Sequence, residues 1–206
     1  MGPPVPRRRR GPAAPRAGLG HAVRIIAGSR KGARIFAPRG TDTRPTGDRV
    51  REAAFNLIGP GGAEDAKVLD LFAGSGAMGL EALSRGAAHA TFVESDRDAC
   101  RAINRNLDKL GLDDATVLCQ DALTALRADA RAGTRYDLVL VDPPYRRFSS
   151  LQNVLIQHLP EILAPHGLLL VETGSDTDEP DLPPLAKRTS RRYGAARLTL
   201  FEPQGP

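Results

Sequence analysis

The chain has 206 residues, of which 41% are hydrophobic and 26% are charged, with a net charge of +5. These values fit one ordinary globular domain and exclude a fibrous or wholly disordered protein. Two cysteines exclude a disulfide scaffold, and four scattered histidines without metal-ligand spacing predict no metal site. No apolar run approaches the ~18 residues of a membrane span, and none follows Arg7–Arg10 as in a secretory signal. We therefore expect a cytoplasmic protein with no membrane partner.

The positive charge is concentrated at one end of the chain. Residues 1–21 carry five arginines and no acid, and residues 22–60 carry eight basic residues against three acidic ones. The rest of the chain has more acidic than basic residues. A localised basic segment is typical of proteins that bind a phosphate backbone. For the first 20 residues, a solvated arginine-rich tail explains the charge equally well, and we predict that residues 1–22 are disordered because they lack large apolar side chains.

The segment 23–60 is predicted to form a small hairpin followed by a helix. Residues 23–26 and 33–36 are β-prone, and the loop 28–32 between them has two glycines and a basic tip. Thr46 is a suitable N-cap for a helix over residues 47–58, whose apolar residues recur at helical spacing.

From residue 61 onward, strand and helix patterns alternate. This alternation predicts a doubly wound, mostly parallel α/β sheet of the Rossmann-like type with helices on both faces. We expect one domain over 23–206, in which 61–206 form the core and 23–60 an extension. The predicted strands cover 68–72, 90–94, 115–119, 137–141, 168–172, 187–193 and 196–202, and the predicted helices cover 77–85, 98–110, 122–130 and 151–163.

A glycine-rich turn follows the first strand of this core. Gly74, Gly76 and Gly79 form a G-x-G-x-x-G pattern, in which glycines let a ligand approach the backbone and the next helix offers free N–H groups. Glu94 ends the second strand 20 residues after Gly74, where an acid can bind ribose hydroxyls. The pattern fits a nicotinamide dinucleotide and S-adenosylmethionine equally well, and a tight turn without ligand is the alternative.

A second motif, Asp142-Pro143-Pro144-Tyr145, ends the fourth strand, at the edge where doubly wound sheets bind ligands. The Asp142 carboxylate and the Pro143 carbonyl are two adjacent acceptors, which suit the two N–H donors of an exocyclic amino group on a nucleobase. Tyr145 offers a face on which a base can stack. A dehydrogenase has no use for this arrangement, although a strand-ending proline turn is an alternative explanation.

With both motifs in place, residues 67–145 resemble a class I S-adenosylmethionine-dependent methyltransferase of the amino-methylating kind. The similarity extends over residues 23–201 to the bacterial family that methylates guanine N2 in 16S ribosomal RNA, on the runs R-I-I-A-G at 24–28, R-P-T-G-D-R-V-R-E at 44–52 and L-F-A-G-S-G-A-M-G-L-E-A-L-S-R at 71–85. The resemblance implies a cofactor site made of Asp70, Phe72, Ala73, Gly74, Ser75, Gly76, Glu94 and Asp121. It implies a catalytic motif made of Asp142, Pro143, Pro144 and Tyr145.

The basic residues of the N-terminal segment are the predicted RNA contacts. Arg30 and Lys31 lie at the hairpin tip, and Arg44, Arg49 and Arg51 lie on or before the helix. Arg44, Arg49 and Arg51 are expected to reach RNA phosphates or to close over the cofactor, and Arg30 and Lys31 are expected to contact phosphates. For the basic residues near the helix, the alternative is that their charges only stabilise it, where Arg49 and Glu52 are i, i+3 neighbours. For Asp121, the alternative to a cofactor contact is a simple helix N-cap.

The resemblance implies transfer of a methyl group from S-adenosylmethionine to N2 of one guanine in small-subunit ribosomal RNA, on an assembled or assembling 30S subunit. No metal is implied, and we expect a monomer because no large apolar stripe calls for a partner. Two other classes stay open. One is an amino-methyltransferase of DNA adenine or cytosine, which the basic run 44–52 disfavours. The other is a non-catalytic RNA-binding assembly factor, which the intact glycines and Asp142–Tyr145 disfavour.

Overall fold

The computed structural model describes residues 23–37, 47–143 and 148–204. Several predicted features lie outside these ranges, namely the tail over residues 1–22, Arg44, the Thr46 cap, Pro144 and Tyr145. Within them, strands and helices alternate along the chain as predicted. The helices are α1 (Gly47–Ile58), α2 (Ala77–Ser84), α3 (Arg97–Leu110), α4 (Ala122–Ala132) and α5 (Phe148–Ile162), and the strands are β1 (Lys67–Leu71), β2 (His89–Glu94), β3 (Ala115–Cys119), β4 (Tyr136–Val141), β5 (Leu163–Gly174), β6 (Ala186–Tyr193) and β7 (Ala196–Glu202).

The seven strands form one sheet in the order β3-β2-β1-β4-β5-β7-β6. The first five strands pair in parallel, and β7 lies antiparallel between β5 and β6. The prediction of a doubly wound, mostly parallel sheet is therefore confirmed. The strand order reverses between β1 and β4, which makes the carboxyl ends of these two strands the crevice where sheets of this kind bind ligands.

The central strands have apolar residues on both faces because helices cover both sides of the sheet. In β1, Val68 packs into the core beneath α1, α2 and α3, whereas Leu69 and Leu71 pack into the core beneath α4 and α5. All three side chains are fully buried. This two-sided burial explains why β4 has an uninterrupted apolar run at 138–141 and why β1 has apolar residues on both sides of Asp70. None of the described helices is both long and apolar enough to cross a membrane.

The predicted strand over 168–172 is longer in the structure, because β5 begins at Leu163, directly after α5. Tyr136 pairs with Leu163, and the register then shifts before Leu138 pairs with Leu168. Gly167 lies in this shifted stretch, and a Cβ atom there would stand 2.9 Å from the Tyr136 carbonyl oxygen. The Pro-His-Gly sequence at 165–167 resembles a turn, but the missing side chain of Gly167 lets the backbone continue along β4.

The predicted hairpin is present as a short antiparallel pairing rather than two full strands. Arg24 and Arg34 form a single bridge, and the Ile25 N–H donates to the Ala33 carbonyl over 2.9 Å. Ile25 and Ile35 are buried in the same core as α1, α2 and α3. Residues 23–37 are therefore attached to the layer of helices that follows the glycine-rich turn.

Candidate active site

The carboxyl ends of β3, β2, β1 and β4 lie side by side and carry the predicted site residues. Leu71 pairs with Val93 on one side and with Val141 on the other, so the residues that follow these strands leave the sheet together. With neighbouring strands about 4.8 Å apart, the strand of Glu94 and the strand of Asp142 are about 10 Å apart, with the glycine-rich turn between them. The structure therefore brings the glycine-rich turn together with Asp142 and Pro143, the described half of the second motif, at the crevice.

The turn after β1 begins in an unusual backbone conformation. Phe72 has φ 71°, a left-handed value that is uncommon for a non-glycine residue and often marks a functional site. The N–H groups of Phe72 and Ala73 both donate to the Val93 carbonyl, at 3.1 Å and 3.0 Å. These two bonds join the start of the turn to the end of β2 and hold the strained residue in place.

The glycines of the turn have different physical tasks. Gly74 has φ 54°, and a Cβ atom there would meet nothing within 4 Å, so its backbone faces open space. Gly76 has φ 77° and is the N-cap of α2. Gly79 is needed for packing, because a Cβ there would stand 2.3 Å from the Phe92 ring. Gly74 thus leaves room for a ligand, while Gly79 allows α2 to approach the sheet.

Two carboxylates hold the turn. The Asp70 carboxylate is buried and accepts the Gly79 N–H at 2.8 Å, which fixes the first turn of α2. The pKa of Asp70 is raised to about 7, mainly by burial and to a smaller extent by the nearby Glu94 carboxylate, against the lowering effect of the Gly79 hydrogen bond. Glu94 accepts the Gly74 N–H on Oε2 at 2.8 Å, and its Oε1 accepts the N–H groups of Ser95 and Asp96 at 2.7 Å and 2.8 Å. Glu94 is therefore oriented towards the turn.

The remaining residues at this edge occupy three positions. Asp142 is exposed and Pro143 is buried directly after β4. Ser75 is half-buried within the turn. Asp121 is the N-cap of α4, where its Oδ1 accepts the Thr124 N–H at 3.0 Å, so the structure shows the helix-capping alternative. Contact of Asp121 with an adenine stays a prediction.

The predicted RNA-contacting cations do not form one group. Lys31 and Arg49 are exposed. Arg30 instead donates to the carbonyls of Leu110 and Gly111, at 2.5 Å and 3.2 Å, and so caps the end of α3. The hairpin tip therefore lies at the carboxyl ends of α2 and α3, and the eight residues of α2 place it about 12 Å from the glycine-rich turn.

Arg51 differs from the prediction because it is only 5% exposed. It pairs with Asp48 at 2.9 Å and lies 3.7 Å from Glu81, and it also donates to the Arg24 carbonyl. The expected pairing of Arg49 with Glu52 is replaced by this Asp48–Arg51 pair on the same helix. A guanidinium enclosed in this way stabilises the attachment of the N-terminal segment and does not present its charge to RNA.

Sequence reasoning missed Glu81, which is fully buried in α2. Its carboxylate accepts the N–H groups of Ile26 and Ala27, at 2.7 Å and 2.9 Å, and the Arg85 side chain at 2.8 Å. Buried carboxylates need such partners because desolvation is costly. A lone acid in an otherwise apolar helix was the available signal for this site.

Asn106 was missed in the same way. It is fully buried, and its side chain bonds both the N–H and the carbonyl of Phe36, at 2.7 Å and 2.9 Å, as well as the Ser75 carbonyl at 3.3 Å. The N-terminal segment is thereby joined to the glycine-rich turn. The signal in the sequence is a polar residue within the apolar stripe of Ile103, Leu107 and Leu110.

Comparison with known proteins places this geometry in a family. A family model described as "Conserved hypothetical protein 95" matches residues 23–202. The ribosomal RNA small subunit methyltransferase D of Escherichia coli is 40% identical over 161 residues, covering 78% of this chain and 79% of the relative. The fold of the E. coli protein yhhF matches with a TM-score of 0.77 and 37% identity, over 89% of this chain and 99% of that chain.

A hypothetical protein of Thermus thermophilus also matches, with a TM-score of 0.74 and 31% identity, over 87% of this chain and 99% of that chain. These matches cover the extension as well as the sheet and confirm the resemblance drawn from the sequence. The chain therefore belongs to the conserved hypothetical protein 95 family, which is that of the ribosomal RNA small subunit methyltransferase D.

Proposed function

We propose that the chain transfers a methyl group from S-adenosylmethionine to the N2 amino group of one guanine in 16S ribosomal RNA. The observation that carries this proposal is the position of the glycine-rich turn and of Asp142-Pro143 on adjacent strands, at the crevice of a family-typical sheet. One motif suits a methyl donor and the other suits an amino acceptor. Their separation by a single strand spacing, about 4.8 Å, brings donor and acceptor together.

The residues of the turn fit the donor. Gly74 faces open space, and Glu94 Oε2 has a second lone pair besides the one that accepts the Gly74 N–H, so it can accept a ribose hydroxyl. Asp70 acts through the turn, because its carboxylate already holds Gly79. When bound, S-adenosylmethionine supplies an electrophilic methyl group on its sulfonium. The backbone around the bound cofactor is shaped by Phe72, Ala73, Ser75 and Gly76. Asp121 is the proposed contact of the adenine.

The acceptor is held by the motif after β4. The Asp142 carboxylate and the Pro143 carbonyl accept the two N–H bonds of the guanine amino group, which directs the nitrogen lone pair towards the methyl group. The target base must leave its stack to reach this position. The nitrogen loses one proton after transfer, either to the Asp142 carboxylate or to water. Pro144 and Tyr145 complete the proposed motif, in which Tyr145 stacks on the base.

Positioning and electrostatics supply the rate in this proposal, and no covalent enzyme intermediate is required. The described ranges 23–37, 47–143 and 148–204 contain no cluster of three or more His, Cys, Asp or Glu residues arranged to hold a metal ion. Every step of the proposed reaction is assigned to the carboxylates, carbonyls and backbone N–H groups named above.

The RNA substrate is inferred from the name and similarity of the E. coli relative, with which this chain shares 40% identity. We place the reaction on the small subunit in the cytoplasm. From the N-terminal segment we assign Lys31, Arg44 and Arg49 to RNA phosphates. Of these, Lys31 and Arg49 lie within the described ranges, and both are exposed. Arg30 and Arg51 contribute indirectly, by holding the segment against α2 and α3.

The test is the substitution Asp142→Ala. Loss of one of the two acceptors should lower methyl transfer about 100-fold or more, because misplacement of a reacting group has effects of that size. The affinity for S-adenosylmethionine should change by less than about threefold. Asp137→Ala is the matched control, because Asp137 is the second residue of β4, at the opposite edge of the sheet, where it accepts the Lys67 N–H. Full transfer activity of the Asp142→Ala protein would refute the acceptor pair.

A further inference from the structure

Helix α3 carries a row of cations that the proposed site does not use. Arg97, Arg101, Arg105 and Lys109 recur every four residues, and all four are exposed. Residues at this spacing are neighbours on a helix, and like charges at i, i+4 destabilise it. Arg101 pairs with Asp98, whereas no ion pair is formed by Arg97, Arg105 or Lys109 with any residue that the structure describes. An unpaired row of this kind favours a partner with negative charge.

Two of these cations are held in place by an aromatic ring. The Arg105 guanidinium lies 3.8 Å from the Phe36 ring centroid, and the Lys109 ammonium lies 4.8 Å from it. Lys109 also donates to the Arg34 carbonyl over 2.5 Å. These contacts restrict two long side chains that otherwise move freely in water. Cations ordered in advance bind an anion with a smaller loss of conformational entropy.

The N-terminal segment extends the row. Lys31 and Arg34 are exposed, and residues 23–37 contain four basic residues and no acidic one. We define the α3 basic surface as Lys31, Arg34, Arg97, Arg105 and Lys109. Its helical part contains 13 residues from Arg97 to Lys109, over which the helix rises by about 18 Å. This length and charge match a stretch of nucleic-acid backbone rather than a single small anion.

The surface is also linked to the site. Asp96, which caps α3, follows Glu94 by two residues, so Arg97 lies at the edge that holds the glycine-rich turn. At Phe36 the link is direct, because Asn106 bonds Phe36 and the Ser75 carbonyl together. A polyanion bound along α3 is therefore held in a defined position relative to that turn.

We propose that the α3 basic surface binds the sugar–phosphate backbone of the RNA substrate, along a path that starts at Arg97 beside the glycine-rich turn and leads away from the methylated guanine. This proposal rests on the proposed function and adds to it the face of the protein that holds the RNA. Phosphate contacts position the substrate and carry no base specificity. The surface therefore sets the affinity for RNA and does not affect binding of the methyl donor.

The test compares two doubly substituted proteins with equal loss of charge. Arg105→Gln with Lys109→Gln removes the two ring-held cations, and Arg127→Gln with Arg131→Gln removes two exposed arginines from α4, on the opposite face of the sheet. Binding of deproteinised 16S ribosomal RNA is measured by fluorescence anisotropy across a salt series. A third protein, Arg105→Lys with Lys109→Arg, keeps both charges and controls for a purely structural effect.

The first protein should bind RNA at least tenfold more weakly than the α4 control. Its plot of log affinity against log salt should be less steep by about 1.4–1.8, the value for two lost phosphate contacts. The charge-keeping protein should bind as the unsubstituted chain does, and donor affinity should be unchanged in all. Equal losses of RNA affinity in the α3 and α4 proteins would overturn the proposal, as would an RNA affinity of the α3 protein that equals that of the unsubstituted chain.

The outcome is separable from that of the proposed function. If the unsubstituted chain methylates RNA while the α3 and α4 proteins bind RNA equally, the surface assignment fails and the reaction stands. If the unsubstituted chain binds RNA through α3 but transfers no methyl group to any guanine, the reaction fails and the surface stands.

Discussion

Two glycines in the loop 28–32 should respond differently to the same substitution. Gly28 has φ 81° and Gly32 has φ 83°, so alanine carries the same backbone penalty at both, about 1–2 kcal/mol. Their surroundings differ. A Cβ at Gly32 meets nothing within 4 Å, whereas a Cβ at Gly28 would stand 1.8 Å from the Ser84 carbonyl oxygen. Backbone atoms at that distance must separate.

The separation has a calculable effect. Three hydrogen bonds hold the loop to Ser84 at the end of α2. The Ser29 N–H donates to the Ser84 carbonyl at 2.6 Å, and the Arg30 N–H donates to Ser84 Oγ at 3.0 Å. The Ser84 hydroxyl in turn donates to the Ala27 carbonyl at 2.6 Å. At about 1 kcal/mol for each hydrogen bond, their loss adds about 3 kcal/mol. We expect Gly28→Ala to lower the free energy of unfolding by about 4–5 kcal/mol and Gly32→Ala by about 1–2 kcal/mol.

Urea denaturation of both variants measures this difference directly. Amide hydrogen exchange gives a local readout, because the Ser29 and Arg30 amides should lose protection in the Gly28→Ala protein and keep it in the Gly32→Ala protein. Equal free energies of unfolding in the two variants would refute the close packing of the loop on α2, and with it the fixed position of residues 23–37.

Three further substitutions test the turn itself. Gly74→Ala should lower the free energy of unfolding by only about 1–2 kcal/mol, because the added Cβ meets no atom. The same substitution should weaken S-adenosylmethionine binding tenfold or more, as measured by calorimetry. Unchanged binding would contradict a ligand above Gly74. Gly79→Ala should instead destabilise the fold by several kcal/mol, because its Cβ overlaps the Phe92 ring; a melting temperature equal to that of Gly74→Ala would contradict this. Asp70→Asn should alter the pH dependence of stability. The folded-state pKa of Asp70 is raised to about 7. As pH rises from about 4 to 7, Asp70 ionises in the unfolded chain but stays protonated in the folded protein, which removes up to about 4 kcal/mol of stability. Asp70→Asn should lack this loss, and identical profiles of unfolding free energy against pH would disprove the shift.

The sheet could be predicted from the sequence because its signals are local. Apolar runs bounded by turns mark β1 and β4, and amphipathic periodicity marks α3. Most element ends lie within a few residues of the predicted ones. β5 is the exception, because its start at Leu163 depends on pairing with Tyr136, a residue 27 positions away whose approach no local pattern shows.

The sheet edge at which the site residues lie could be predicted from the topology. The partners of individual charged side chains could not. Arg51 looks like a surface cation, since the charged residues Asp48, Arg49 and Glu52 lie close to it in the sequence. Its burial depends on Glu81, which lies on another helix. The α3 basic surface was hidden for a similar reason. Residues 61–206 have a net negative charge, and only the register of α3 against Phe36 brings its cations together with those of the N-terminal segment.

The most direct test of the account is transfer of radiolabelled methyl groups from S-adenosylmethionine to small ribosomal subunits that lack guanine-N2 methylation, with free 16S ribosomal RNA and duplex DNA in parallel. We predict label in the ribosomal RNA of the subunits, recovered after digestion as N2-methylguanosine at a single position. Label in DNA alone would contradict the ribosomal substrate. Absence of label from all three, from a protein that binds S-adenosylmethionine, would contradict the proposed reaction.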